Sequence, residues 1–178
     1  KIQIGVNLSI RQLQNHNIVN EVESILTDTG FDPSYLELEI TESIAMRDQD
    51  YMIESLNMLR AIGVHIAIDD FGTKYSSMNH LKQFPVDRIK IPMPFVHGIE
   101  MSSKDRAITK SIIVLANSLG LGVIAEGVET KKQHDFLTQK MCDEIQGFYH
   151  FKPMCSADFE RLLELQKTKQ FEKRNLLS

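Results

Sequence analysis

The sequence predicts an α/β fold built from parallel strand–helix units, and three observations predict it. Short β-branched runs alternate with longer segments of helical period along most of the 178 residues. Glycines stop the helical segments, as Gly30, Gly63 and Gly120 do. The apolar runs each carry a polar side chain near the C-terminal end. Parallel units with right-handed crossovers close in one of two ways, an open doubly wound sheet or a (β/α)8 barrel. No glycine-rich phosphate turn follows the first strand, which weighs against a dinucleotide-binding sheet.

Residues 1–9, KIQIGVNLS, read as the first strand, with Ile2, Ile4, Val6 and Leu8 on one face. One helix is expected from about 9 to 29, capped by Ser9 and stopped by Gly30. YLELEITE is the second strand, and residues 49–63 form the next helix. HIAIDDF is the third strand, followed by a polar loop and a short segment at 78–85. DRIKIP is the fourth, and residues 103–120 form a helix. GVIAEGV is the fifth, and Thr130 caps a helix over 130–141. EIQGFYHF is the sixth, and a last helix over 156–170 starts at Ser156. The domain assignment is one barrel-like unit over 1–166 and a mixed-charge tail over 167–178. The helical methionines Met46, Met52 and Met58 are expected in the core, and His65, His80, His97, His134 and His150 are expected as surface or structural residues.

Composition excludes several function classes. Hydrophobic residues make up 42% and charged residues 25%, the balance of a soluble globular domain. No apolar run reaches the roughly 18 residues that cross a bilayer, so direct membrane insertion is not expected. A net charge of −4 gives no bulk attraction for a nucleic acid polymer. Cys142 and Cys155 are too few for a disulfide framework and read as reduced thiols in a cytoplasmic protein. The six histidines and two cysteines lack zinc-ligand spacing.

The chemistry lies at the strand ends. Side chains alternate faces along a strand. If the aliphatic face packs on helices, the other face points inward and offers Asn7, Glu39, Asp69, Lys90, Glu126 and Gln146. Asp70 adjoins Asp69, and two neighbouring carboxylates repel unless something neutralises them. Four carboxylates and an amide oxygen make a hard oxygen set suited to Mg²⁺, Mn²⁺ or Ca²⁺. Adjacent aspartates allow one carboxylate to bridge two ions.

The motifs VNLS, LEITES, DDFGTKYSSM, DRIKI, IAEGVET and QGFYHFKP, in this order from about 4 to 153, resemble those of the EAL family of bacterial signalling domains. The resemblance implies a modified TIM-type (β/α)8 barrel, here incomplete, with about six of eight strands. It implies phosphodiesterase chemistry on cyclic di-GMP, a water activated by Mg²⁺ or Mn²⁺ opening one bond to give linear pGpG. Asn7, Glu39 and Asp69 would ligate one ion; Asp69, Asp70 and Glu126 would serve the second or its water. Lys90 would hold the attacking water or the phosphate, and Gln146 would position water or ligand near Glu126. Glu42 would anchor the loop after Asp70, and Glu129 would support the AEGVE turn.

Three departures from the family pattern are present. The tripeptide that names the family normally lies upstream of VNLS, and the chain starts at Lys1 beyond that point. Pro92 stands where the family carries an acidic residue, and Lys74 stands where it carries a glycine. Little or no hydrolysis by the chain as given is therefore expected, with a ligand-sensing or protein-interaction role in its place or activity in a longer parent protein. Six strands also leave two open sheet edges, which predicts completion by an upstream segment, by another chain or by a homodimer.

Overall fold

The computed structural model describes residues 2–42, 49–73, 81 and 84–175. Six strands follow one another in space as in sequence: β1 (Ile4–Asn7), β2 (Leu36–Thr41), β3 (His65–Asp69), β4 (Arg88–Ile91), β5 (Gly122–Glu126) and β6 (Glu144–Gln146). All five pairings are parallel. The sheet curls into an incomplete barrel with β1 and β6 as its edges. The helices are α1 (Ile10–Leu13), α2 (Ile18–Thr29), α3 (Gln49–Ile62), α4 (Met93–Gly98), α5 (Ser103–Ser118), α6 (Lys131–Gln139) and α7 (Ser156–Asn175). Among the described residues, no helix is long and apolar enough to cross a membrane. Lys74, Met46, His80 and most of the short segment expected at 78–85 lie outside the described residues.

The helix expected over 9–29 is two helices. Ser9 caps the first in a capping box with Gln12, as its position suggests. The chain then breaks because Asn15 offers its side-chain oxygen to the Asn17 amide at 3.0 Å, a local bond that competes with helix continuation. Helix α2 restarts at Ile18 and ends at Gly30, which adopts the left-handed conformation at φ 64°. Helix α7 runs unbroken from Ser156 to Asn175, through the position where the tail was expected to begin.

The outward aliphatics of the central strands carry the core. Ile40, Ile66, Ile89, Ile91 and Val123 are fully buried, packed with Leu56 and Leu59 of α3 and with Ile113 and Ala116 of α5. Each such side chain stabilises the fold by roughly 1.5–3 kcal/mol through burial. Strand β1 departs from expectation. Its aliphatic face is half exposed, Ile4 at 49% and Val6 at 44%, while Leu8 alone is buried. A crossover helix leans over its own strand and the next one, so an edge strand keeps an outer side uncovered. Met52 is buried in the core, but Met58 is half exposed on the solvent side of α3.

The inward side chains form two polar layers. Near the N-terminal strand ends, Arg88 reaches Glu144 at 2.9 Å and Glu37 at 3.3 Å. Glu37 is buried, and burial raises its pKa against the opposing pull of Arg88. The second layer lies at the C-terminal ends.

Candidate metal centre and active site

Strand alternation and parallel register bring the second layer together. The Lys90 ammonium sits 2.6 Å from Glu39 Oε2, 2.7 Å from Glu126 Oε1 and 3.9 Å from Asp69 Oδ1. Lys90 is buried, with 3% of its surface exposed. Burial alone would pull its pKa down, but hydrogen bonds to Glu126 and Glu39 and the charge of Asp69 outweigh it, and the net shift is upward. Lys90 is therefore a fixed cation at neutral pH. Glu126 moves upward too: burial raises it most, Lys90 opposes, and Asp69 and Glu39 add repulsion.

Strand β3 ends in a sharp turn. Asp70 has φ 56°, a left-handed conformation that aspartate tolerates at a cost of about 1 kcal/mol or more. Its amide donates to Asp69 Oδ1 at 2.8 Å, and its carbonyl accepts the Thr73 hydroxyl at 2.9 Å. The turn aims both aspartates at β5. Asp69, Asp70 and Glu126 each offer an oxygen within 4.8 Å of the others. Three carboxylates face a single ammonium here, with Asp70 beside them, so the layer carries excess negative charge that Lys90 cannot balance. Donor type and spacing fit a hard divalent ion such as Mg²⁺ or Mn²⁺.

The remaining site residues fall as follows. Asn7 pairs in register with Glu39 at the β1 edge and is exposed. Glu39 is held by the Lys90 ammonium, which also bonds Glu126. Gln146 pairs in register with Glu126 at the β6 edge. Glu42 is buried, and its Oε2 accepts the Gly72 amide at 3.0 Å, under the loop that follows Asp70. Glu129 Oε1 lies 3.8 Å from His97 Nε2. Pro92 is buried in extended conformation, and its carbonyl accepts the Phe95 amide at the start of α4. His97, expected as a surface or structural residue, donates across thirty residues to the Gly127 carbonyl, 3.0 Å away. Nothing in sequence spacing announces that contact, because it arises from the packing of α4 on the β5–α6 turn.

The fold and this layer define a parallel α/β barrel with an acidic, lysine-bridged cluster at the C-terminal strand ends. The family model described as EAL domain matches residues 1–153, and the chain belongs to that family. Among relatives, the bifunctional diguanylate cyclase/cyclic di-GMP phosphodiesterase MucR of Pseudomonas aeruginosa is 44% identical over 151 residues, covering 85% of this chain and 22% of MucR. The chain spans about a fifth of the length of the curated relatives it matches. Among solved structures, the PaMucR phosphodiesterase in complex with c-di-GMP superposes with a TM-score of 0.84 at 43% identity, over 88% of this chain and 64% of that one. The EAL domain of Mycobacterium smegmatis DcpA gives 0.87 at 37% identity, over 92% and 73%. A manganese and cyclic di-GMP complex of Klebsiella pneumoniae BlrP1 gives 0.76 at 33%, over 83% and 38%.

Proposed function

We propose that this chain is a cation-dependent cyclic di-GMP-binding domain of the phosphodiesterase type, with hydrolysis strongly reduced by Pro92. The observation that carries the reading is the convergence of Glu39, Asp69 and Glu126 on the buried Lys90 ammonium, with Asp70 beside them. Asp69, Asp70 and Glu126 would hold Mg²⁺ or Mn²⁺. When bound, the ion supplies positive charge beside a phosphodiester oxygen.

The chain's own residues do the rest. Lys90, kept cationic by its neighbours, stabilises the negative charge that builds on the phosphoryl group. Asn7 and Gln146 present amides at the two edges of the same level, where they orient ligand or water. Glu42 fixes the loop that sets Asp70. In the reaction a water oxygen bonds to phosphorus, one phosphorus–oxygen ester bond breaks, and the leaving oxygen takes a proton to give linear pGpG. Pro92 follows directly from β4 and carries no carboxylate, so the acid layer lacks one member for a second ion. Both sheet edges await a partner strand, and we include barrel completion by a preceding segment, another chain or a second copy in this reading. A cytoplasmic setting accompanies it.

Calorimetry with cyclic di-GMP in the presence of Mg²⁺, and chromatography for pGpG, test the proposal. The expected result is binding that vanishes with chelator and slow turnover that Pro92→Asp accelerates at least tenfold. No heat at high micromolar ligand overturns the binding claim, and rapid hydrolysis by the unaltered chain overturns the role given to Pro92.

A further inference from the structure

Helix α4 leaves β4 immediately after Lys90, Ile91 and Pro92, and it packs under the turn that leaves β5 immediately after Glu126. The helix and the residues just after it grip that turn at two points. His97 Nε2 lies 3.0 Å from the Gly127 carbonyl oxygen, and since a carbonyl only accepts, the ring nitrogen there carries the proton. The Thr130 hydroxyl donates to Glu100 Oε1 at 2.5 Å. Between them the turn rests on Met93: a Cβ on Gly127 would lie 2.5 Å from Met93 Cγ, and Gly127 has φ 67°. Helix α4 is itself held by α5, where Arg106 donates to the Ile99 carbonyl at 2.7 Å. The two strand ends that carry Lys90 and Glu126 are thus joined by a strut as well as by the sheet.

We propose that His97 is a positioning residue for Glu126. Its ring N–H fixes the Gly127 carbonyl, which sets the direction of the backbone leaving Glu126 and so holds that carboxylate between Lys90 and the two aspartates. The inference rests on the reading of Asp69, Asp70 and Glu126 as an ion site. His97 is 41% exposed at the side chain, and one half-exposed hydrogen bond contributes too little for the fold to depend on it. What its loss changes is the placement of Glu126.

The test compares His97→Ala, His97→Gln and His97→Phe in the otherwise unaltered protein. Glutamine retains an N–H donor; phenylalanine fills the space without one. The first measurement is made without divalent ions, by ¹³C NMR of the Glu126 carboxyl and ¹⁵N NMR of the Lys90 ammonium. The second is calorimetry with Mn²⁺ alone. His97→Ala and His97→Phe shift both resonances and weaken Mn²⁺ binding three- to tenfold, with the melting temperature nearly unchanged, while His97→Gln restores most of both. Unmoved resonances in the alanine variant, or glutamine behaving like phenylalanine, overturn the proposal. Should the alanine variant not fold, the glutamine and phenylalanine variants decide between them. Absence of Mn²⁺ binding by the unaltered protein, with resonances that still respond to His97, would sink the ion site and leave the positioning role standing.

Discussion

The carboxylate of Glu42 accepts the amide N–H of Gly72 at 3.0 Å, tying the end of the second strand to the loop that leaves the third. Glu42 is 2% exposed, so the bond is made out of water. Glu42→Ala leaves the Gly72 donor without this acceptor and is expected to cost about 1–3 kcal/mol. The loop that bears Asp70 then loses its anchor, and Mn²⁺ binding weakens severalfold. Glu42→Gln keeps an acceptor oxygen and should lose less of both. Thermal melts and Mn²⁺ titrations of the two variants check this; equal behaviour of alanine and glutamine would rule out the anchor.

Lys90 balances carboxylates from three strands. Lys90→Met removes the cation and leaves Glu39, Asp69 and Glu126 facing one another in a buried layer. Breaking a buried pair on one side costs about 3 kcal/mol or more. A divalent ion can take over part of the lost charge, so Mn²⁺ should raise the melting temperature of Lys90→Met more than that of the unaltered protein. A smaller Mn²⁺ response in the variant would show that the carboxylates do not converge on a common ion position.

The two cysteines should separate by reactivity. The Cys142 thiol donates toward the Val123 carbonyl at 3.5 Å and the Glu144 carbonyl at 3.3 Å, and burial pushes its pKa up to about 12. At pH 8 its thiolate fraction is then roughly one in ten thousand, while Cys155 stands exposed in the segment before α7. Iodoacetamide at pH 8 should label Cys155 and spare Cys142. The same shift ties stability to pH. A thiol whose folded pKa is raised holds its proton more tightly when folded, so its contribution is fully present below the unfolded value near 8.5 and is lost as pH rises toward 12. The loss amounts to about 2 kcal/mol by pH 10. In denaturant melts the unaltered protein and Cys142→Ala should differ by a constant amount below pH 8.5, and above it the unaltered protein should lose stability relative to the variant.

Much of this arrangement is legible in the sequence because strands obey a period of two. That rule alone puts Glu39, Asp69, Lys90 and Glu126 on one face, and the order of parallel units puts them on neighbouring strands. Other features escape it. The break between α1 and α2 depends on the Asn15 side chain bonding the Asn17 amide, a choice that a helical pattern over Ile10, Leu13 and Ile18 conceals. The exposure of Ile4 and Val6 follows from their being on an edge strand, which is a property of the sheet and not of their own alternation. The ion pairs of Lys90 with Glu39 and Glu126 are not written in the period either, because they depend on how far a buried ammonium reaches between strands. Contacts such as His97 with Gly127 join segments thirty residues apart and leave no periodic trace.

Gly5 supplies the last test, because its missing side chain makes room for Glu39. A Cβ at Gly5 would overlap Glu39 Oε1, the mobile end of a three-torsion side chain and not a backbone atom. Gly5→Ala should therefore turn the Glu39 carboxylate away from Lys90 and leave the strand where it is. The stability change should stay within about 1 kcal/mol, since an alanine in a strand also gains over glycine by about that amount. The ion site should respond more: Mn²⁺ affinity changes in Gly5→Ala, and the change disappears in the Lys90→Met background because Glu39 then has no ammonium to leave. A double-mutant cycle measures that coupling. Additive effects, or a stability loss above about 3 kcal/mol of the kind overpacking produces, would mean that the strand moves and that Gly5 has no bearing on how Glu39 meets Lys90.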